Sequence, residues 1–500
     1  MSNWPIMDKP FILIIGIFYL LMCLGIGFWA MNKNKNTTDF FAANKGVGTW
    51  LMVFGTFSAV MSGFGFVGGP GIAYLHGFGA MWITVSLPLG YFICWLAIGR
   101  KFKAIANKRT ILSVPDILFA RFESPLLRVV GGLTVIIGVI GYLASQMTAT
   151  GWIMVVIFGM DFTTGLIIGL IVVCAYSIAG GVMAGLYTDV VQGIAMVAGA
   201  AAIFVLVLVD SGGLSSLWQS LTADDTTAHL ATTFGGLNPM WGVSYLLMGI
   251  MGCFAQPHVA SRFFMMKDHN SLRTSCLYTA LGYALCSLLI LTIGNFIRAR
   301  VVHGDLPALA SADMASITFL INYAPTFVAG LVLAGLLGAI MSTTDAFLNV
   351  GAAAVAHDIG MTLNGGKTIN HELAIARVAT VVLIVIAAIL SVQNPTLVVL
   401  LGAFGWAFFT GVFAPVLLFG LNWKRCTRKG AEYGTITGFI VAGGLQASNA
   451  LGFAPITSGV VNGAVGFLCA TIVLIVVSLA TSEEEAEKEV PADLKSIIYS

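Results

Sequence analysis

The feature that most constrains this chain is a succession of apolar runs, each long enough to cross a lipid bilayer. A membrane-spanning helix needs about 20 apolar residues. Thirteen such runs can be placed, at 11–31, 48–75, 79–100, 126–158, 163–180, 187–210, 240–261, 274–298, 326–356, 373–392, 396–421, 433–454 and 460–480. Of the 500 residues 58% are hydrophobic and 9% charged, which argues against a soluble domain. The sequence therefore predicts an all-α polytopic membrane protein with 13 transmembrane helices.

The basic residues predict how these spans are oriented. Lysine and arginine concentrate in cytoplasmic loops. With the N-terminus outside, only Lys9, Arg298 and Arg300 of the 24 basic residues fall on the outer side. We therefore expect a multi-pass protein of the cell membrane with an external N-terminus and a cytoplasmic C-terminus. Residues 1–481 form one transmembrane domain in this interpretation, and the acidic residues 482–500 form a disordered cytoplasmic tail.

Short segments outside the spans carry further signals. The stretch from Thr110 to Arg128 is amphipathic and interrupted by prolines, which predicts an interfacial helix on the inner face. The eight cysteines are scattered singly, without metal-ligand spacing, and are predicted to be core residues.

Two spans look interrupted. The second contains "FGTFSAVMSGFGFVGGPG", with five glycines from Gly63 to Gly71, and the seventh contains "GCFAQPHVASRFF". Irregular backbone is tolerated inside a bilayer where it lines a cavity in the protein. The two interrupted spans are five apart in order, as two five-helix repeats would give if each began with a discontinuous helix. Close helix packing is the alternative explanation of any single glycine.

The ninth span carries hydroxyls in an otherwise apolar run, "GAIMSTTDAF". Ala339, Ser342 and Thr343 are spaced i, i+3 and i+4, so they share one helix face. Hydroxyl and carbonyl oxygens suit a hard cation such as sodium, and the carbonyls of Ser58 and Met61 in the broken second span could complete the shell. The alternative is that each hydroxyl bonds to a carbonyl of its own helix.

Signals for other classes of protein are weak. The sequence has no HExxH, no GxSxG and no paired aspartates in helix centres, so we do not expect an enzyme. Gly63, Gly65 and Gly68 spell GxGxxG but follow no predicted strand, and no basic stripe indicates nucleic-acid binding. The expected partners are a small-molecule substrate and the lipid bilayer, and no obligate protein partner is evident.

The chain resembles the sodium:solute symporter family over nearly its whole length. The similarity rests on "GAIMSTTDAFLNVGAAAVAHDI", "VMSGFGFVGGPGIAYLHG", "GLYTDVVQG", "FAQPHVASRFFMMKD" and "GLNWKRCTRKGA". It is nearest in appearance to the sodium/pantothenate symporters, through "FVGGPGIAY", and then to the sodium/proline symporters, through "QPHVASRF". The resemblance implies sodium-coupled uptake by alternating access and a LeuT-like inverted 5+5 repeat. The first repeat would cover 48–210 and the second 240–421, with flanking helices at 11–31, 433–454 and 460–480.

The resemblance also implies roles for individual residues. It places a sodium ion on the carbonyls of Ser58, Met61 and Ala339 and on the side chains of Ser342 and Thr343. It makes Asp189, at the inner end of the sixth span, a residue of the ion path, although capping or pairing at the interface is an alternative. Asp345 is an ion-path candidate by its position three residues after Ser342 rather than by the resemblance. It faces a second polar cavity, a second cation or a proton, or else it is neutral.

The substrate is less determined. Val60 stands where the proline symporters have an aspartate, and Gly249 and Cys253 stand where they have a tryptophan and a tyrosine, which weakens a proline assignment. We expect an apolar pocket with glycine at its wall that takes a carboxylate such as pantothenate. Its candidate lining residues are Ser62, Phe66, Tyr142, Gln146, Gln256 and Trp406. Proline-type uptake, proton-coupled uptake of a monocarboxylate, and a membrane sensor remain the alternatives.

Overall fold

The computed structural model describes residues 10–31, 47–367, 369, 371–393, 398–453, 456, 459–481 and 487–499, and this part of the chain is almost entirely helical. The helices in chain order are α1 (Pro10–Met31), α2 (Thr49–Val60), α3 (Gly69–His76), α4 (Met81–Cys94), α5 (Arg100–Lys108), α6 (Val114–Phe122), α7 (Pro125–Phe158), α8 (Phe162–Ser211), α9 (Leu214–Thr222), α10 (Pro239–Ala255), α11 (Pro257–Met265), α12 (His269–Val302), α13 (Ala315–Asn322), α14 (Thr326–Ala353), α15 (Gly360–Leu363), α16 (Glu372–Gln393), α17 (Val398–Phe408), α18 (Ala414–Asn422), α19 (Arg428–Ala450), α20 (Asn462–Ala480) and α21 (Lys495–Ile498). Four π-helical segments extend them, at Phe64–Gly68, Trp95–Gly99, Ala354–Ile359 and Phe409–Phe413.

Nine helical stretches in the described ranges are long and apolar enough to cross a membrane. The predicted runs at 126–158, 187–210, 240–261, 274–298, 326–356, 373–392, 396–421 and 460–480 each fall on one of them. Three shorter apolar helices, Pro10–Tyr19, Thr49–Val60 and Phe162–Cys174, lie in or near further predicted runs. The prediction of an all-helical, multi-pass membrane protein is confirmed.

The division into thirteen separate spans is not reproduced. The runs 163–180 and 187–210 lie in one continuous helix of 50 residues, α8, which contains no proline to end it. The division between the runs 48–75 and 79–100 is present at Gly77 (φ 53°, ψ −124°), where α3 ends, and the first of these runs is also interrupted after Val60. The run 433–454 falls largely on α19, whose polar residues keep it outside the nine apolar stretches. The count of thirteen therefore stays a prediction.

Both predicted helix interruptions are present. α2 stops at Val60, and Met61 (φ −85°, ψ 84°) leaves the helical conformation before the chain turns helical again at Phe64. α10 stops at Ala255, Gln256 is extended (φ −70°, ψ 117°), and Pro257 begins α11. Proline favours the first position of a helix because its missing N–H has no partner to lose there.

Two segments outside the spans are packed more closely than the sequence indicates. The amphipathic stretch contains α6, and nearly all of that helix is buried against protein rather than lying freely on a surface. The tail residues 487–499 also differ from the expected disorder, since Val490, Leu494 and Ile498 are buried and α21 forms within them. Residues 482–486 lie outside the described part of the chain.

Candidate ion and solute site

The hydroxyls of α14 lie against the end of α2, at the first helix interruption. The Ser342 hydroxyl donates to the Ser58 carbonyl at 2.9 Å and lies 3.2 Å from the Ala339 carbonyl. The Thr343 hydroxyl donates to the Ala59 carbonyl at 2.9 Å and lies 3.0 Å from the same Ala339 oxygen. The Ser58 hydroxyl is 3.2 Å from Ser342 Oγ. The two helices therefore meet in a buried cluster of hydroxyl and carbonyl oxygens, called here the oxygen cluster.

Four of the five predicted sodium ligands lie in the oxygen cluster, namely Ser58, Ala339, Ser342 and Thr343. Met61 differs, because in the described structure no hydrogen bond joins its carbonyl to α14, and the Ala59 carbonyl meets Thr343 instead. The last four carbonyls of a helix have no intrahelical donor. Since α2 ends at Val60, Ala59 carries one of these carbonyls, and counting back from the interruption would have indicated it.

The oxygen cluster suits a small hard cation. Ser342 and Thr343 each carry one hydroxyl hydrogen, yet each lies within hydrogen-bonding distance of two carbonyl oxygens. Carbonyl lone pairs are therefore left without a donor, and hydroxyl and carbonyl oxygens are ligands that hard cations prefer. Both predicted arrangements are present at once, because each hydroxyl contacts its own helix and the broken helix opposite.

A buried ion pair lies beside the second interruption. Asp189 of α8 is 1% exposed, and its Oδ2 is 3.3 Å from Nη2 of Arg262 in α11. Oδ1 of Asp189 has no hydrogen-bond partner in the described part of the chain. The pairing that the sequence left as an alternative is therefore present, but within the protein interior. The sequence indicates only that Arg262 lies on the inner side. Its pairing with Asp189 could not be predicted, because the two residues are 73 positions apart.

Asp345 faces the same region from α14. It is buried and lines a narrow cleft together with His258, Arg262 and Asn349. The Asn349 side chain donates to the Asp345 carbonyl at 3.0 Å. The predicted ion-path residues Asp189 and Asp345 thus lie around Arg262, one as its ion-pair partner and one beside it in the cleft.

The predicted solute residues divide into two groups. Around the first interruption, the Ser62 hydroxyl lies 3.1 Å from Tyr142 Oη and accepts from the Phe64 amide, and Gln146 Oε1 accepts from the Gly63 amide at 3.2 Å. These side chains hold the irregular backbone that joins α2 to the helical segment beginning at Phe64. They are buried and already hydrogen-bonded.

Of the remaining predicted solute residues, Gln256 lies apart from this group, and Trp406 contacts it through the ring of Phe64. Gln256, at the second interruption, accepts from Tyr91 Oη at 3.4 Å, and Phe66 is buried. Trp406 stacks on Phe64 with ring centroids 6.4 Å apart.

An aromatic column runs through this region, and three of its members were not predicted. Phe64 stacks between Trp406 and Tyr142, and Tyr142 stacks on Phe347 of α14 at 4.4 Å between ring centroids. His258 of α11 approaches the same Phe347 ring at 4.1 Å. The column links both interruptions. Phe64 and Phe347 carry no polar group that marks them in the sequence, so packing alone identifies them.

Gly249, expected at the wall of the solute pocket, has no open space beside it in this structure. A Cβ atom on Gly249 would lie 2.2 Å from Ser86 Oγ, so this glycine packs tightly against α4. The neighbouring Cys253 thiol contacts the Leu87 carbonyl of α4 at 3.4 Å. Side chains of α4 therefore fill the space beside these two small residues of α10, and the solute pocket stays a prediction.

Another charged cluster lies outside this region. Asp116, His357 and Asp358 are buried within metal-binding distance of one another. The Arg128 guanidinium, however, lies 2.5 Å from Asp116 and 3.0 Å from His357, so an arginine already provides the positive charge. Burial opposes ionisation of Asp116, but His357 and Arg128 keep the pKa of its carboxyl below the usual value. We interpret the cluster as an ionic cross-link of α6 and α7 to the end of α14.

A multi-pass helical fold with two interrupted helices is typical of membrane transporters. Comparison with known families makes this specific, since the sodium:solute symporter family matches residues 40–438 and the chain belongs to that family. It is a sodium-coupled symporter and not an enzyme, and sodium is its coupling ion.

The chain is similar to relatives with different named substrates. The osmoregulated proline transporter OpuE of Bacillus subtilis strain 168 is 29% identical over 95% of this chain and 96% of its own length. The sodium/pantothenate symporter of Escherichia coli K12 is 27% identical over 90% of this chain and 94% of its own length. The solved outward-open structure of a Na⁺-coupled sialic acid symporter matches with a TM-score of 0.79 at 18% identity, over 94% of this chain and 98% of that one. The sequence identities are too similar to favour one substrate.

Proposed function

We propose that this protein couples sodium entry to the uptake of a small organic solute that carries a carboxylate, by alternating access. In this proposal Ser58, Ala339, Ser342 and Thr343 hold the sodium ion, with Ala59 added to the set and Met61 kept as a nearby backbone ligand. Asp189 and Asp345 line the path by which the ion leaves. The N-terminus lies outside the cell membrane and the C-terminus in the cytoplasm.

The oxygen cluster is the observation that carries the proposal. A discontinuous helix exposes carbonyls in mid-span, and the hydroxyls of a second helix meet them in a buried position. A cation there would connect α2 with α14. The two interruptions lie at the starts of residues 48–210 and 240–421, which supports the inverted five-helix repeats of a LeuT-like transporter. Flanking spans at 11–31, 433–454 and 460–480 complete thirteen.

The neutral side chains around the first interruption support a small polar solute. Ser62, Tyr142 and Gln146 offer donors and acceptors without net charge, and Trp406 and Phe66 add apolar surface. Gln256 adds an amide from the second interruption. Neutral donors and the bound sodium ion itself can hold a carboxylate. A pantothenate-like acid fits this chemistry, and a zwitterion such as proline is the alternative that the named relatives support.

The sodium site is tested without knowing the solute, by titrating purified protein in nanodiscs with sodium and following the unfolding temperature. A ligand that binds only the folded state raises that temperature with its concentration. Ser342→Ala and Thr343→Ala each remove one oxygen ligand, so we expect each to raise the half-saturating sodium concentration roughly tenfold.

Thr344→Ala is the matched control. Thr344 is buried on the same helix, but its hydroxyl bonds back to the Ile340 carbonyl at 2.7 Å. Equal effects of all three substitutions would contradict the proposed site. Uptake from solutions in which choline replaces sodium measures how far solute uptake depends on sodium. A thermal-shift screen of organic acids and amino acids, with and without sodium, identifies the solute.

A further inference from the structure

The C-terminal residues 487–499, called here the strap, are docked on the protein. Val490, Leu494 and Ile498 are at most 2% exposed, so the strap buries an apolar face. Its carboxylates alternate with these residues, and Glu489 Oε2 accepts a hydrogen bond from the Arg428 amide at the start of α19. Burial of apolar side chains together with specific polar contacts distinguishes this segment from a solvated acidic tail.

One side of the strap is fastened to the end of α5. Asp493 makes a two-point contact with Arg109, with Oδ2 3.0 Å from Nε and Oδ1 2.7 Å from Nη2. Paired hydrogen bonds of this kind add geometric specificity to the charge attraction. Lys108 donates to the Asp493 carbonyl and lies 3.3 Å from Ser496 Oγ. Arg109 also donates to the Ala120 carbonyl of α6 at 2.9 Å.

The other side of the strap is fastened near the end of α18. Lys101 of α5 donates both to the strap, at the Ile498 carbonyl (3.2 Å), and to the Leu421 carbonyl of α18 (2.9 Å). The Lys424 ammonium, just after α18, lies 5.2 Å from the centre of the Tyr499 ring. One lysine therefore joins α5, α18 and the strap in a single contact.

We propose that the strap is a releasable clasp that holds the transporter closed on its cytoplasmic side. The inference rests on the proposed function. Alternating access moves groups of helices against one another. α5 belongs to the proposed first repeat and α18 to the second, so the strap joins helices of both repeats and would restrain their movement apart. The strap binds to a basic surface formed by Lys101, Lys108 and Arg109. The clasp opens when the contact between Asp493 and Arg109 is broken.

The expected effect is moderate. The side chains of Asp493 and Arg109 are 45% and 27% exposed, and ion pairs of this kind are weak and screened by salt. Breaking the pair should raise the population of the inward-open state about two- to fivefold. Glu487 provides the matched control, because it is an exposed carboxylate of the strap whose side chain makes no ion pair among the described residues.

The test measures access to the inner cleft in the full-length chain. Ala353 lines the cleft that also contains Asp345, so Ala353→Cys reports on its opening. A small cationic thiosulfonate is applied in sodium chloride and in choline chloride of equal ionic strength. Labelling is resolved by peptide mass spectrometry because the chain has eight cysteines of its own. Hydrogen exchange of the strap amides is followed in parallel.

We expect Asp493→Lys to accelerate strap exchange and to raise the labelling rate about two- to fivefold, and Glu487→Gln to leave both unchanged. The charge-swapped double variant Arg109→Glu/Asp493→Lys restores an ion pair, so its exchange and labelling rates should return most of the way to those of the parent protein. Faster exchange without faster labelling would overturn the clasp, and so would unchanged exchange. The proposed function fails separately, if labelling of the parent Ala353→Cys protein is the same in sodium and in choline.

Discussion

The two helix interruptions differ in the groups that surround them. At the first, between α2 and the segment beginning at Phe64, the Ser62 carbonyl accepts from the amides of Gly65 and Phe66. Side chains of neighbouring helices bond to further backbone groups there, namely Gln146 to the Gly63 amide and two hydroxyls of α14 to carbonyls of α2. At the second, between α10 and α11, Pro257 removes a donor, and the amides of Val259 and Ala260 bond back to the Gln256 carbonyl. Its neighbours are an aromatic contact and the ion pair of Arg262.

This difference indicates that the two interruptions have different roles. The first interruption presents carbonyls to groups that a cation can replace as partners, so it suits ion binding. The second has a buried pair of fixed charges beside it instead. A buried pair of opposite charges depends on both members, because the survivor of a single substitution is left uncompensated in the interior. The first interruption should therefore tolerate the loss of one contact better than the second.

The largest expected effect is at the second interruption. Arg262→Met leaves Asp189 buried without its partner, and we expect a loss of ~3–5 kcal/mol of stability, with a larger fall in unfolding temperature than any substitution at the first interruption produces. Tryptophan fluorescence during heating in nanodiscs measures it. Adding Asp189→Asn should recover most of the loss, since the uncompensated charge is then gone.

An exposed pair serves as the control for that substitution. Asp305→Asn breaks the ion pair with Arg300. The side chain of Asp305 is 48% exposed and that of Arg300 31%, so the substitution should cost no more than ~1 kcal/mol of stability. If Arg262→Met and Asp305→Asn lower the unfolding temperature equally, burial of the Arg262 pair does not increase its contribution to stability.

A smaller effect is expected from a methyl group at the first interruption. A Cβ atom on Gly63 would lie 2.9 Å from Ile340 Cγ1 and 3.0 Å from Gln146 Oε1, so Gly63→Ala must displace the side chain that holds the Gly63 amide. We expect a loss of ~1–3 kcal/mol and a weaker response of the unfolding temperature to sodium.

Gly69→Ala is the control for crowding. Gly69 is six residues further on and helical (φ −57°), and a methyl group added to it would have no neighbouring atom within 4 Å. Alanine there should be neutral or slightly stabilising because it favours the helix. If both substitutions weaken the sodium response equally, close packing at Gly63 is not what supports the oxygen cluster.

The sequence predicts the interruptions better than the contacts between them. Glycine, proline and polar residues inside an apolar run are local signals, and they placed both interruptions and the hydroxyl face of α14. Ala59 and Phe347 carry no such signal, because one contributes a backbone oxygen and the other a ring whose partners lie far along the chain. Gly249 was expected at the wall of a pocket, but it packs against Ser86. A glycine leaves space, and only the position of Ser86 shows that the space is filled.

The smallest expected effects come from two tyrosines that each touch one interruption. Tyr142→Phe removes the 3.1 Å contact with Ser62 but keeps the stack on Phe347, and it should cost ~1 kcal/mol and shift the sodium titration. Tyr91→Phe removes a 3.4 Å contact with Gln256, at the limit of a hydrogen bond, so it should cost less and leave the titration unchanged. Both are measured by the same heating experiment. A larger loss from Tyr91→Phe would mean that the second interruption also depends on side-chain hydrogen bonds, and the contrast between the two would then rest on the Arg262 pair alone.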